Sequence, residues 1–175
     1  MKKDQSKYAV IVAAAIAIGI VFVAYGLAFG IFTTSIPVID GIICENEMFS
    51  YHIHAHLDIF VNEYPSPVPA AIGIVVQNHC FYWLHTHKSD GIIHIEPPTV
   101  KQFTLGQFFD VWRSSNTLSP PSQEEPIIYV NGQLASTKLK DTPLRSHDEI
   151  VLVYGSPPFL QYPNSINSLK VYDKF

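Results

Sequence analysis

The sequence predicts an α+β protein, in which an N-terminal transmembrane helix precedes a mainly antiparallel sheet domain with one covering helix. Three observations favour this class. Residues 8–32 are uncharged and mostly apolar, several later segments alternate apolar and polar residues, and residues 103–112 change to helical spacing. The 175 residues are enough for one domain of ordinary size and an appendage.

The run at residues 8–32 predicts a membrane-spanning signal anchor, because about 20 apolar residues suffice to cross the hydrocarbon core. Three lysines precede it, Lys2, Lys3 and Lys7, and acidic residues follow it from Asp40 onward. The positive-inside rule therefore predicts a single-pass protein of the cell membrane with a cytoplasmic N-terminus and an extracytoplasmic C-terminal domain. The alternative is a cleaved signal peptide, with small residues at 26–28, although signal h-regions usually run only about 7–15 residues.

The chain divides into four segments on these patterns. Residues 1–33 form a cytoplasmic stub and the anchor, 34–43 a linker, 44–155 a His-rich sheet domain, and 156–175 an irregular tail. The net charge is −4, and no cluster of Lys or Arg lies beyond residue 7. This charge pattern argues against nucleic acid as a partner.

Alternating segments predict the first strands of the domain. Residues 50–62 alternate cleanly, and residues 69–76 follow as a return strand. Asp90-Gly91 then predicts a hairpin between residues 80–87 and 91–96. A two-residue loop places His94 opposite His87, and a four-residue loop places it opposite His85. In both registers His85, His87, His94 and Glu96 share one face, because side chains alternate with period two.

The spacing changes after Pro97-Pro98. Thr104 as N-cap and Gln107 three residues later form a capping box, which predicts a helix whose aromatic residues belong to the core. Residues 126–132 and 148–155 predict two further strands, with a short one around residues 136–140.

The C-terminal part of the domain, with its capped helix and "IIYVNG…LKDTPLRSHDEIVLVYG", resembles the β-grasp pattern. That resemblance implies a mixed sheet that wraps one helix, enlarged here by the His-bearing hairpin. The C-terminal diglycine and the iron–sulfur cysteine loop of β-grasp proteins are absent, so no functional site is implied.

A second resemblance covers residues 50–113. The segments "YHIHAHLDIFVN", "CFYWLHTH…GIIHIE" and "FTLGQFFDVW" resemble a His-rich family of mostly uncharacterised, membrane-anchored or exported proteins of archaea and bacteria. The resemblance implies an anchored or exported protein and carries no activity with it.

Six of the eight histidines fall into two rows, which are the candidate metal ligands. Alternate residues of a strand lie about 6–7 Å apart on one face, so two imidazoles of an H-x-H pair can reach one ion. The first row is His52, His54, His56 and Asp58, and the second is His85, His87, His94 and Glu96. The carboxylates in each row ligate the ion or orient a ring. His79 and His147 are interpreted as polar loop residues.

Three imidazoles suit copper and zinc. Copper is favoured, because the Irving–Williams order gives an imidazole site higher affinity for Cu(II), and no glutathione pool buffers copper outside the cell. Two other interpretations of the rows stay open. Clustered imidazoles can form a polar face that protonates between about pH 5 and 8, or a hydrogen-bonded network that joins two hairpins.

Cys44 and Cys80 each precede one histidine row. In an oxidising compartment two cysteines favour one disulfide, which would hold the two rows in register if their segments are adjacent strands. The alternative is thiolate ligation in a Cys/His site of blue-copper type, for which Met48 is the axial candidate.

These patterns favour an accessory protein over an enzyme. The leading hypothesis is a membrane-anchored, extracytoplasmic metal-binding protein, which carries copper or serves as an accessory subunit of a membrane enzyme. One alternative is a zinc-dependent hydrolase or hydratase, with Glu96 as proton acceptor. The other is a structural subunit of a larger membrane complex that contacts its partner through Phe159, Leu160 and Tyr162 of the tail.

Overall fold

The structure is a computed structural model that describes residues 2–28, 36–47 and 50–155. It consists of two compact units, Met1–Ile36 and Pro37–Phe175. The α+β class is confirmed, because an N-terminal apolar helix precedes a mainly antiparallel sheet domain that contains one further α-helix. Met48 and the tail residues Phe159, Leu160 and Tyr162 lie outside the described residues.

The N-terminal unit contains one helix, α1 (Lys2–Ala28). Its segment Gln5–Ala28 has a mean hydropathy of 2.7 and is long and apolar enough to cross a membrane. Large apolar side chains such as Ile18, Phe22 and Leu27 are each about 70% exposed in the protein alone. A helix that is apolar on all sides needs an apolar surrounding, so α1 is a candidate membrane anchor.

The described part of the second unit contains twelve short strands and one α-helix. In chain order they are β1 (Cys44–Glu45), β2 (Ile53–Val61), β3 (Tyr64–Ser66), β4 (Ile74–Val75), β5 (Cys80–Tyr82), β6 (Leu84–His85), β7 (Ile92–Ile95), β8 (Phe103–Thr104), α2 (Leu105–Ser114), β9 (Ile127–Val130), β10 (Gln133–Leu134), β11 (Pro143–Leu144) and β12 (Glu149–Tyr154). Two single-turn 3₁₀ helices lie at Val76–Asn78 and Leu139–Asp141.

The main sheet has the strand order β10-β9-β12-β2-β7-β6, and β3 pairs with the far end of β2. All of its neighbours are antiparallel except β2 and β12, which run parallel at the centre. A mixed sheet with one helix between its two hairpins is the arrangement implied by the β-grasp resemblance. The His-bearing strand β6 enlarges the sheet at one edge, as expected from the extra hairpin.

Beneath one face of this sheet lies the apolar core. Ala55, Leu57 and Ile59 of β2 are at most 2% exposed, and Ile93 and Ile95 of β7 are equally buried. Their odd positions all point to one side, because side chains alternate along a strand. The even positions of these strands, which carry the histidines, therefore share the opposite face.

Helix α2 begins with the predicted capping box. The Thr104 hydroxyl accepts a hydrogen bond from the Gln107 backbone N–H, and the Gln107 side chain accepts one from the Thr104 N–H. The helix contacts β6 and β8 and buries Phe108, Phe109 and Trp112, which confirms its aromatics as core residues. A helix this short depends on such packing, since isolated helices below about 12–15 residues are marginal in water.

The structure corrects two predicted strands. Residues 70–73 form a turn that ends at Gly73, whose φ of 72° breaks the extended backbone. Of the predicted return strand only Ile74–Val75 is paired, and its partner is β5 and not β2. The short strand expected around residues 136–140 is replaced by the 3₁₀ turn Leu139–Asp141. The partner of β9 is instead β10, which follows directly from a tight turn at Asn131-Gly132.

Candidate metal centre

Strand register brings the two histidine rows together. His54 of β2 lies opposite His94 of β7, and His94 lies opposite His85 of β6. Of the two hairpin registers considered, the structure has the one that pairs His85 with His94. Strand β6, which carries His85, is not adjacent to β2, however, because β7 with His94 lies between them. The three imidazoles therefore form one line across the sheet, with directly opposed side chains close enough to touch.

The first group of donors is His52, His54 and His94. The His52 Nε2 atom lies 2.8 Å from the His54 Nε2 atom, and the His94 Nδ1 atom lies 3.2 Å from His54 Nε2 and 3.3 Å from His52 Nε2. Burial, followed by the charges of His94 and His52, lowers the pKa of His54. The neutral, ligating form of the ring is therefore favoured.

This triangle of nitrogens fits a metal ion. Metal–nitrogen bonds of about 2.0–2.1 Å place neighbouring ligand atoms roughly 2.9–3.4 Å apart in square-planar or tetrahedral geometry. The observed spacings of 2.8–3.3 Å are close to that range.

Glu96 adjoins this group. Its Oε1 atom lies 3.0 Å from His52 Nε2 and 3.3 Å from His94 Nδ1, and the residue is only 2% exposed. Its Oε2 atom is buried and has no hydrogen-bond partner among the described residues. Burial opposes ionisation, but the hydrogen bond with His94 and the charges of His85, His52 and His94 lower the pKa of Glu96 overall. A buried carboxylate with an unpaired oxygen is suited to a cation.

A second group of donors lies on β6 and in the loop after it. The His85 Nε2 atom is 3.2 Å from His87 Nε2, and Glu47 Oε1 is 3.4 Å from His87 Nε2. The His85 Nδ1–H donates to the Tyr82 carbonyl oxygen at 2.9 Å, which leaves Nε2 without a proton in the neutral ring. Burial lowers the pKa of His85 to about 4. The ring is therefore presented in its ligating form.

The centre consists of three overlapping groups, and within each group the donor atoms lie within 4.8 Å of one another. They are His52, His54 and His94; His85, His87 and His94; and Glu47, His85 and Glu96. These groups could hold a metal ion, as expected from the rows. Six of the predicted ligands are therefore brought together: His52, His54, His85, His87, His94 and Glu96.

His56 and Asp58 are the two predicted ligands that lie outside these groups. His56 Nδ1 is 2.9 Å from Glu149 Oε2, and His56 Nε2 is 3.0 Å from the Asp90 carbonyl oxygen. Both ring nitrogens of His56 therefore face protein acceptors and not the donor groups of the centre. Asp58 is half-exposed and lies 3.8 Å from His56. The alternation of β2 was predicted correctly, but strand β12 brings the Glu149 carboxylate to His56, away from the donor groups.

Gly91 holds the loop against His56. Its φ is 81°, and a Cβ atom built there would lie 2.5 Å from the Leu57 carbonyl oxygen and 2.9 Å from His56 Nε2. Only glycine permits this approach, so the Asp-Gly signal in the sequence marks a position that closes the loop onto β2.

Two residues of the site were not among the predicted ligands. Glu47 reaches His87 from the segment after β1, and its position depends on the disulfide that joins Cys44 of β1 to Cys80 of β5. His147, interpreted from sequence as a polar loop residue, donates its backbone N–H to the His54 carbonyl oxygen at 2.7 Å. Neither belongs to an alternating segment, so sequence periodicity gave no signal for them.

The disulfide also settles the role of the cysteines. Cys44 and Cys80 are bonded to each other, and no free cysteine exists in the chain. The disulfide predicted from the sequence is confirmed, and the alternative of thiolate ligation in a blue-copper site is wrong. The bridge joins the small sheet β1-β5-β4 and does not link the histidine strands directly.

A cavity of about 600 Å³ opens onto the imidazoles. Its walls are formed by His54, His87, Lys88, Asp90, Ile92, His94 and His147. His54, His87 and His94 belong to the donor groups, so an ion or a small molecule can reach them from solvent.

Comparison with protein-family models, curated proteins and solved structures finds no significant match for this chain.

The burial of His85 predicts an acid-sensitive fold in the metal-free protein. The folded-state pKa of about 4 lies below the ordinary value of 6.5, so between these pH values only the unfolded chain takes up a proton at His85. Proton uptake at His85 therefore has no effect on stability above about pH 7. As the pH falls from 6.5 to 4, it lowers the free energy of unfolding by on the order of 3 kcal/mol. Urea unfolding of the full chain in mild detergent and chelator measures this loss.

His85→Gln removes the titrating ring and is expected to flatten that pH dependence. The exposed His79→Asn variant is the matched control and keeps the wild-type slope. An equal slope in wild type and His85→Gln would contradict the assignment of the acid sensitivity to His85.

Proposed function

We propose that the chain is a membrane-anchored, extracytoplasmic metal-binding protein that carries copper or serves as the accessory copper-binding subunit of a membrane enzyme. The observation that supports it is the triangle of His52 Nε2, His54 Nε2 and His94 Nδ1, with edges of 2.8–3.3 Å.

Copper is the ion that best matches the donors. Two of the candidate groups consist of imidazoles alone, and a single carboxylate, Glu96, lies beside the first of them. Imidazole suits copper and zinc, whereas calcium and magnesium prefer oxygen ligands. Between the first two, the Irving–Williams order favours Cu(II) unless the geometry excludes it.

The accessibility of the donors supports a carrier or accessory role. His52 is about one-third exposed, and His54 and His94 line the open cavity. An ion held in this way can be taken up and passed on without unfolding of the sheet. A purely structural metal site is, by contrast, normally closed by four protein ligands.

Location outside the cytoplasm is supported by two independent features. Lys2, Lys3 and Lys7 precede most of the apolar helix, and by the positive-inside rule they favour a cytoplasmic N-terminus. The Cys44–Cys80 disulfide is typical of an oxidising compartment. Both features support a location of the domain on the outer side of the membrane.

Binding of Cu(II) to the full chain in mild detergent tests the proposal. We expect the His54→Ala/His94→Ala double variant to bind Cu(II) more than about 100-fold more weakly, because loss of an outer hydrogen-bond partner alone costs about 10–100-fold. Competition with a copper chelator of known affinity measures the change. His79→Asn is the control, and unchanged copper affinity in the double variant would reject the proposal.

A reporter fusion tests the topology. Alkaline phosphatase, which is active only after export, is expected to be active when joined to the C-terminus of the chain, and the fusion should stay in the membrane after carbonate washing. An inactive phosphatase would reverse the orientation. An active fusion that is shortened at its N-terminus and released from the membrane would instead indicate a cleaved signal peptide.

The cavity favours one second candidate function, a zinc-dependent hydrolase or hydratase. Three imidazoles with an open side toward a cavity could hold Zn²⁺ together with a water molecule, and zinc lowers the pKa of such a water to about 7. Glu96 lies 3.0 Å from His52 Nε2 and is the nearest proton acceptor to this group.

Ester hydrolysis and CO₂ hydration by the zinc-loaded full chain test this second function. A catalytic centre is expected to exceed the rate of free Zn²⁺ and to lose that excess in His54→Ala, whereas His79→Asn keeps it. Rates equal to those of free Zn²⁺ on both substrates would leave metal carriage as the function.

A further inference from the structure

The donor groups of this centre outnumber the ligands that one ion takes. Seven side chains are included in the overlapping sets: His52, His54, His85, His87, His94, Glu47 and Glu96. Zinc and copper sites use about four or five ligands. If the centre held one ion, two or three of these side chains would not coordinate it.

We propose that the centre holds two ions side by side, with Glu96 between them. This inference rests on the proposed metal-binding function and adds its stoichiometry and a second site. His52 and His54 of β2 serve the first ion. His85 and His87 of β6 serve the second, together with Glu47.

The second set has the properties of a binding site in its own right. Its imidazole nitrogens, His85 Nε2 and His87 Nε2, are 3.2 Å apart, and Glu47 Oε1 lies 3.4 Å from the latter. The hydrogen bond from His85 Nδ1 to the Tyr82 carbonyl oxygen directs Nε2 of that ring toward the set. The Cys44–Cys80 disulfide holds the segment that carries Glu47 near this strand.

Glu96 is the group that both sets share. Its Oε1 atom lies 3.0 Å from His52 Nε2 on one side and 4.0 Å from His85 Nε2 on the other. Both contacts are made by Oε1, so this oxygen is the atom that can bridge the two ions, and Oε2 is buried without a hydrogen-bond partner among the described residues. The carboxylates of Glu96 and Glu47 also reduce the repulsion between two divalent cations.

His94 lies at the boundary between the two sets. Its ring stacks on that of His85 at a centroid distance of 5.2 Å and an interplanar angle of 13°, and its Nδ1 atom faces His52 and His54. Strand β7 and the residue after it thus place one imidazole, His94, and one carboxylate, Glu96, between the histidine pair of β2 and the pair His85 and His87. This is the arrangement of a paired site, since two distant sites would not share groups.

Copper stoichiometry of the full chain in mild detergent tests the pairing. Cu(II) is added in excess, loosely held ions are removed by gel filtration, and copper per chain is measured by mass spectrometry. Wild type and His79→Asn are expected to retain two ions per chain. His52→Ala/His54→Ala and His87→Ala are each expected to retain one, and circular dichroism checks that both variants stay folded.

Electron paramagnetic resonance tests whether the two ions are neighbours. Two adjacent Cu(II) ions couple, so the wild-type spectrum is expected to be broadened or reduced relative to its copper content. His87→Ala, with one ion left, is expected to give the resolved signal of isolated Cu(II), and Glu96→Gln is expected to weaken the coupling.

Three results would overturn the inference in different ways. One ion per chain in wild type, abolished by His52→Ala/His54→Ala, would leave the proposed function intact and remove the second site. Two uncoupled ions that are insensitive to Glu96→Gln would show separate sites without a shared carboxylate. No retained copper would remove the proposed function and the pairing together.

Discussion

The candidate metal centre depends on the register of one strand, β7, with both of its neighbours. Because His94 lies opposite His54 on one side and His85 on the other, three imidazoles occupy one line across the sheet. A shift of either pairing by one residue would turn one neighbour's histidines into the apolar core, since side chains alternate between the faces. The burial of Ile93 and Ile95 on the opposite face opposes such a shift, so the packing of the core and the geometry of the centre are fixed together.

A polar cluster of this kind is costly to a small domain unless its groups are satisfied. Glu96 is almost fully buried, its Oε2 atom has no hydrogen-bond partner in the part of the chain that the structure describes, and burial holds His85 neutral. The domain supports these groups through the Tyr82 carbonyl oxygen, which accepts from His85 Nδ1, and through the His52 and His94 rings, which lie 3.0 and 3.3 Å from Glu96 Oε1. A bound cation would satisfy the carboxylate and the facing imidazoles, and would thereby stabilise the domain in proportion to its affinity and concentration.

Period-two alternation predicted most of this centre from sequence. It placed His52 and His54 on one face of the first segment, and His85, His87, His94 and Glu96 on one face of the following hairpin, while the capping box at Thr104 placed the helix. Strand order could not be derived in the same way, because it depends on long-range pairing. The central parallel pair β2–β12 brings Glu149 to His56 and removes that histidine from the ligand set. Glu47 was missed for the same reason, since only the folded β1–β5 pair brings it to His87.

The claim that imidazoles of separate strands converge on one ion is tested most directly by locating the ion. A crystal structure of the copper-loaded full chain, with anomalous scattering measured at the copper edge, would do so. The account predicts a copper peak bounded by His52 Nε2, His54 Nε2 and His94 Nδ1. A peak at other residues such as His79, with these three rings facing no ion, would contradict it.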